Sequence, residues 1–207
     1  MKVLLINGSP NEKGCTYTAL CEVAGKLNEH GIETETLQIG RAPVAGCIDC
    51  GTCFKTHHCV FDDLVNEIAA KVDEYDGLVV GSPVYYAGPS GQLCALLDRL
   101  FQVTGRHMAG KVGASIVSCR RGGATAAFDR VNKYFTITNM VVASSQYWNQ
   151  VHGNTPEEVL KDIEGLQTMR TLGENMAFLI KSIAAGRAAG VTPPQYEKRI
   201  YTNFIRE

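Results

Sequence analysis

Residues 2–16 read KVLLINGSPNEKGCT. Lys2 to Asn7 holds a short continuous apolar run, the pattern of a central strand buried on both faces. A turn rich in Gly, Ser, Pro and Asn follows. Beyond it Leu20, Val23, Ala24 and Leu27 recur at helical spacing, with Gly31 as a C-terminal stop. Buried strand, tight turn and helix in that order begin a parallel sheet wrapped by helices.

The same alternation runs down the chain. Glu33 to Ile39 reads as a second strand, and Asp62 or Asp63 can cap a helix carrying Leu64, Val65, Ile68 and Val72. Leu78 to Val80 is a third strand ending in Gly81-Ser82-Pro83, followed by a helix with Leu93, Leu96, Leu97 and Leu100 on one stripe. Lys111 to Ser118 is a fourth strand, Ala124 to Tyr134 a helix, and Met140 to Ala143 a fifth strand. From Pro156 to about Gly190 the chain reads as helix, with Val159, Ile163, Leu166, Met169, Leu172, Met176 and Ile180 on a buried stripe. The tail, with Pro193-Pro194 and Tyr201 to Ile205, reads as extended. These elements predict an α/β fold: one doubly wound domain over residues 1–207, with a five-stranded parallel sheet, helices on both faces and a C-terminal extension from residue 155.

Composition agrees. The 207 residues are 45% hydrophobic and 20% charged, and 20 Lys+Arg against 21 Asp+Glu leave a net charge of -1, without the basic excess of a nucleic-acid binder. No apolar run approaches the roughly 18 residues of a membrane span, and MKVLLINGSP lacks the features of a signal peptide. The expectation is a cytoplasmic protein that binds neither nucleic acid nor membrane. Eight cysteines in a reducing compartment point to metal sites or redox chemistry before disulfides.

In a doubly wound sheet, ligands sit outside the carboxyl ends of the strands. Three loops leave that edge. The first, Gly8 to Thr16, contains Ser9, Pro10, Asn11, Gly14, Cys15 and Thr16 ahead of a helix whose free N–H groups attract an anion. No lysine follows Gly14, as a P-loop requires, and GxGxxG is absent, so the loop suits a monophosphate; a plain strand-to-helix turn is the competing reading. The second loop, Gly81 to Gln92, offers Pro83 to fix the backbone, amides around Val84, and the flat faces of Tyr85 and Tyr86. The third, Ser118 to Ala124, carries Arg120, Arg121, Gly122 and Gly123. The two arginines can meet a nicotinamide nucleotide's phosphates or a flavin carbonyl, or simply flank the loop. The ordered set of three matches flavin mononucleotide (FMN) better than a bare phosphate.

Between the second strand and the next helix lies Cys47-x2-Cys50-x2-Cys53-x5-Cys59, four thiols within thirteen residues. Such spacing lets four sulfurs converge, as iron–sulfur ligation requires. Zinc, a C-x2-C disulfide and a metal-free turn are the other readings. His57 and His58 are either ligands or proton donors, or exposed loop residues. Cys21 and Cys94 fall within helical patterns and read as small buried apolar residues, and packing is the expected role of Cys119.

Three segments, GSPNEKGCT, CIDCGTCFKTHHC and SPVYYAGPSGQLCALLDR, resemble flavodoxin-like NAD(P)H-dependent FMN reductases, in particular the iron–sulfur flavoproteins. The likeness is clear over about residues 1–125 and weaker in YWNQVHG (147–153) and TNFIR (202–206). It implies a flavodoxin-like fold in which Ser9, Cys15 and Thr16 hold the FMN phosphate, Pro83 to Tyr86 the ring, and Ser118 to Gly123 its far side. It implies a [4Fe-4S] cluster on Cys47, Cys50, Cys53 and Cys59, exchanging electrons with FMN. One departure is Cys15-Thr16, where the family often has Asn-Thr. A homodimer or homotetramer is also implied, with the C-terminal helix and TNFIR either making the contact or covering the domain's own core. The expected function is an FMN-dependent oxidoreductase that takes electrons from NAD(P)H as co-substrate, or from ferredoxin, and passes them to a small-molecule or protein acceptor. A non-enzymatic flavin/iron–sulfur electron carrier and a redox sensor are the alternatives. No catalytic acid or base is assigned.

Overall fold

The computed structural model describes residues 1–202. β1 (Lys2–Asn7) matches the expected strand residue for residue, and α1 (Cys15–Glu29) follows it. β2 (Glu33–Gln38) leads through a long loop containing α2 (Cys53–Thr56) to α3 (Leu64–Ala70). Then come β3 (Gly77–Tyr85), β4 (Gly88–Pro89), α4 (Gly91–Thr104), β5 (Val112–Cys119) and α5 (Ala124–Ile137). The chain closes with β6 (Val141–Val142), β7 (Gln150–His152), α6 (Pro156–Val159) and α7 (Ile163–Ala188). The main sheet runs β2-β1-β3-β5-β6 with parallel pairing throughout, the doubly wound order.

Alternation along β1 explains both layers. Val3 and Leu5 face one core with α1 and α7, while Leu4 and Ile6 face the other with α3, α4 and α5. A strand buried on both faces needs a near-continuous apolar run, and that is what makes β1 legible.

The structure departs from expectation in several places. β3 does not end at Gly81-Ser82-Pro83: its pairing with β1 stops at Gly81, while Ser82 and Pro83 stay in register with Val117 and Ser118 of β5. The strand therefore has a freed side at Pro83, where a missing N–H is tolerated. Val84 and Tyr85 then fold back through Tyr86 and Ala87 onto β4, so the second loop is largely a hairpin. The fifth strand is split: β6 and β7 both pair with β5, and residues 144–149 loop out between them. Ser145 Oγ donates to Asn149 Oδ1 (2.6 Å), and Asn149 Nδ2 donates to the Ser115 carbonyl (3.0 Å), giving the interruption its own hydrogen bonds.

The C-terminal helix is two helices. Thr155 caps α6 and Asp162 caps α7 through Gly165 N–H, so the chain restarts within the expected stripe. Leu166, Met169, Leu172, Met176 and Ile180 are buried as expected, but Ile163 is 75% exposed. α7 packs on α1 closely enough that a β-carbon on Gly173 would lie 2.6 Å from Lys26 Cβ, so the extension covers the domain's own core. Val72 belongs to a separate 3-10 turn after α3. Cys21 is exposed rather than buried, Cys94 is half-buried and Cys119 buried. Residues 191–202 carry no regular structure, and residues 203–207, which include most of TNFIR and the end of the Tyr201 to Ile205 segment, lie outside the described residues. Among the described residues no helix is long and apolar enough to cross a membrane.

Candidate functional site

The carboxyl edge of the sheet gathers three helix N-termini. α1, α4 and α5 begin after Gly14, Ser90 and Gly123, and none of these residues supplies a side-chain cap. First-turn N–H groups there remain available, and their combined partial charge favours an anion. The edge fits a phosphate-bearing cofactor on that ground.

Side chains knit the three loops together. Asn7 is fully buried at the end of β1; its Nδ2 donates to Gln38 Oε1 (2.6 Å) and to the Glu12 carbonyl (3.1 Å), and its Oδ1 accepts from Ser9 N–H. Gln38 Nε2 donates to the Ser9 carbonyl (2.6 Å), which fixes the start of the first loop from β2. Arg41 closes the outside of the loop through the Pro10 carbonyl and Asn11 Oδ1. Across the edge, the buried hydroxyls of Thr16 and Ser118 share a 2.8 Å hydrogen bond, joining the first loop to the third. The third loop abuts the second where Gly123 approaches Ala87 and Val84.

Of the expected cofactor-binding residues, Ser9, Thr16 and Ser118 are buried together, with Pro10, Gly14 and Cys15 half-buried beside them. Pro83, Val84 and Gly123 are half-buried at the hairpin, while Tyr85 is 46% exposed and Tyr86 fully exposed. Asn11, Arg120, Arg121 and Gly122 are exposed. The Cys15 thiol is directed at the Gly153 carbonyl (3.7 Å), and burial pushes it up from the ordinary cysteine range. Thr16→Val should leave the Ser118 hydroxyl buried without its partner and cost about 1–3 kcal/mol, read as a lower urea midpoint at unchanged slope.

A second site lies beside α4, in the layer that also packs α3 and α5. Cys47, Cys50, Cys53 and Cys59 all line one solvent-open cavity, with Ile48, Phe54, Val60, Phe61 and Val103 as apolar wall and Arg99 at its base. All eight cysteines of the chain are free thiols. Burial pushes the Cys53 thiol up, while a hydrogen bond from Thr52 lowers that of the exposed Cys50. Among the described residues no three His, Cys, Asp or Glu side chains meet closely enough to hold a single metal ion. Four thiols around a cavity, rather than around one point, fit a multi-iron cluster by donor chemistry. His57 and His58 are exposed and line no part of it.

α4 links the two sites. It starts at the hairpin, where Gln92 Nε2 donates to the carbonyls of Gly40 and Ala42, and it carries Arg99 to the cysteine cavity.

Residues 1–155 match the NADPH-dependent FMN reductase family. The chain belongs to that family. Members are FMN-binding oxidoreductases, so this chain is a flavoprotein of oxidoreductase type with a flavodoxin-like fold. An iron–sulfur flavoprotein of Methanocaldococcus jannaschii is 34% identical over 191 residues, spanning 88% of this chain and 99% of that one. An iron–sulfur flavoprotein of Methanosarcina thermophila is 33% identical over 195 residues, spanning 90% and 99%. Among solved structures, an archaeal flavodoxin superposes with a TM-score of 0.60 at 15% identity, over 87% of this chain and 99% of that one, a likeness of fold.

For this FMN reductase family member, the sequence pattern does not single out Asn7, Gln38 or Arg99. Asn7 is legible only as the end of the first strand and Gln38 only as a residue within the second. Arg99 had a signal: it falls on the stripe of Leu96, Leu100 and Val103, a charged residue at a core position of an amphipathic helix.

Proposed function

We propose that this chain is a single-domain FMN-dependent oxidoreductase that takes electrons from NAD(P)H, or from a ferredoxin-type donor, and delivers them to a small-molecule or protein acceptor. Ser9, Pro10, Asn11, Gly14, Cys15 and Thr16 would hold the FMN phosphate, Pro83, Val84, Tyr85 and Tyr86 the ring, and Ser118, Arg120, Arg121, Gly122 and Gly123 its far side. Cys47, Cys50, Cys53 and Cys59 would hold a [4Fe-4S] cluster. The observation that carries the reading is the convergence of three uncapped helix N-termini on one edge, with the loops joined by the Thr16–Ser118 bond.

FMN supplies hydride acceptance and single-electron release, and a cluster supplies single-electron exchange. The chain's own part is binding and orientation. First-turn amides and the Ser9 hydroxyl offer donors to a phosphate, and Thr16 and Ser118 fix the distance between the loops. The hairpin presents Tyr85 and Tyr86 as flat faces at the mouth. No side chain is needed as general acid or base. An assembly of two or four copies, with neighbours walling the flavin site, belongs to the same reading; exposed Tyr86, Tyr147 and Trp148 support it.

The protein, purified without oxygen, should carry flavin absorption, and NADH or NADPH should bleach it within catalytic turnover, in the range of about 1–1000 per second. Absence of flavin after adding FMN would sink the reading. Flavin that only a ferredoxin-type protein can reduce would keep the oxidoreductase reading with that donor, and flavin that neither donor turns over with an acceptor would favour a non-enzymatic electron carrier.

A further inference from the structure

Arg99 is buried in α4, its side chain 1% exposed, and its polar edges are directed at partners. Nη1 and Nη2 each donate to one oxygen of the Asp63 carboxylate at 2.7 Å. The same nitrogens reach the carbonyls of Ala45 (3.2 Å) and Phe61 (3.4 Å), and the guanidinium lies over the Phe61 ring at 4.9 Å. The remaining edge, Nε–H, donates to Cys59 Sγ at 3.3 Å. A guanidinium has no acceptor and keeps its charge, so the polarity of that N–H···S contact is fixed.

Cys59 is pinned from the other side as well. Asn66 accepts the Cys59 N–H (2.8 Å) and donates to its carbonyl (3.1 Å). Cys47 and Cys50, by contrast, lie exposed in the loop. An arginine needing only charge neutralisation would be satisfied by Asp63. What calls for explanation is its third edge, directed at one sulfur of a cavity that all four cysteines line.

We propose that Arg99 is a positioning residue that sets Cys59 as the fixed ligand of the four-cysteine site and, through its N–H···S bond, raises the reduction potential of the cluster held there. The proposal rests on the cluster reading above. A donor to a ligand sulfur favours the more negative, reduced state, and hydrogen bonds to the sulfurs are among the factors that set such potentials. Asp63 balances the guanidinium charge, which leaves a short-range dipole as the agent.

The test reconstitutes the full chain anaerobically with iron and sulfide, as wild type, Arg99→Lys, and Arg99→Met combined with Asp63→Asn. The double variant strands no carboxylate, and Asn still caps α3. Iron per chain, FMN per chain and the midpoint of a one-electron titration with dithionite are read. Wild type should hold roughly four irons. The double variant should lose iron to a chelator about 10- to 100-fold more readily. At the wild-type midpoint its reduced-to-oxidised ratio should fall about tenfold, equivalent to about 59 mV. Arg99→Lys should recover part of both effects, and FMN content should stay constant in all three. Unchanged iron retention and midpoint in the variants, with wild type loaded, would overturn this proposal and leave the cluster reading standing. No iron in wild type would overturn both. Parallel loss of FMN and iron would mean that Arg99 only supports the fold, and would overturn it too.

Discussion

Cys53→Ser is expected to abolish iron binding while leaving FMN bound at full stoichiometry. Cys53 opens α2, packs half-buried against the core on the α4 side, and lines the cavity together with the other three motif cysteines. Serine is nearly isosteric, so the change tests ligation more than packing. Its hydroxyl does not ionise at neutral pH and is a hard oxygen, whereas iron–sulfur clusters select soft thiolates. Iron content after anaerobic reconstitution should fall from roughly four per chain to near zero. FMN should be unaffected because the contacts that join the three loops proposed to hold it, the Thr16–Ser118 hydrogen bond and the close approach of Gly123 to Ala87, involve no residue of the cysteine segment. Iron retained at the wild-type level would exclude Cys53 as a ligand.

The second large effect belongs to Gly123→Val, which is expected to destabilise the fold and release FMN. Gly123 has φ +90°, a conformation that costs a β-branched residue about 1–2 kcal/mol. Its β-carbon would also stand 2.6 Å from Ala87 Cα and 3.1 Å from Val84 Cγ1, and overpacking of this kind costs about 1–3 kcal/mol. The sum is about 2–5 kcal/mol, read as a fall in urea midpoint. The clash would push the third loop away from the hairpin, so FMN should separate from the protein on gel filtration. A variant that kept both its midpoint and its flavin would mean that the third loop plays no part in holding the cofactor.

The sheet was legible where burial on two faces forces a continuous apolar run, as in Lys2–Asn7, and where a cap chooses between neighbours, as Asp63 does at α3. It was misread where pairing outweighs local signals. Gly81-Ser82-Pro83 has the composition of a turn, yet Ser82 and Pro83 remain paired with β5 because that neighbour continues beside them. The α6–α7 break keeps helical spacing across it, so periodicity alone passed over Thr155 and Asp162, two good capping residues seven positions apart. The three loops of the carboxyl edge and the four cysteines were visible as residue types in order. What joins them was not, because Asn7–Gln38, Thr16–Ser118 and Arg99–Cys59 are separated by 31, 102 and 40 positions.

Tyr86 and Ala87 form the hairpin tip with φ of 50° and 58°, both in the left-handed region. Asn-Gly at these two positions would relieve the turn, since its residues adopt that conformation at least cost. The chain instead keeps an aromatic residue, wholly exposed, on backbone that strains to hold it. The tip therefore gives up robustness for reach: in an evolutionary experiment that rewarded heat tolerance alone, this pair would be expected among the first to be rewritten.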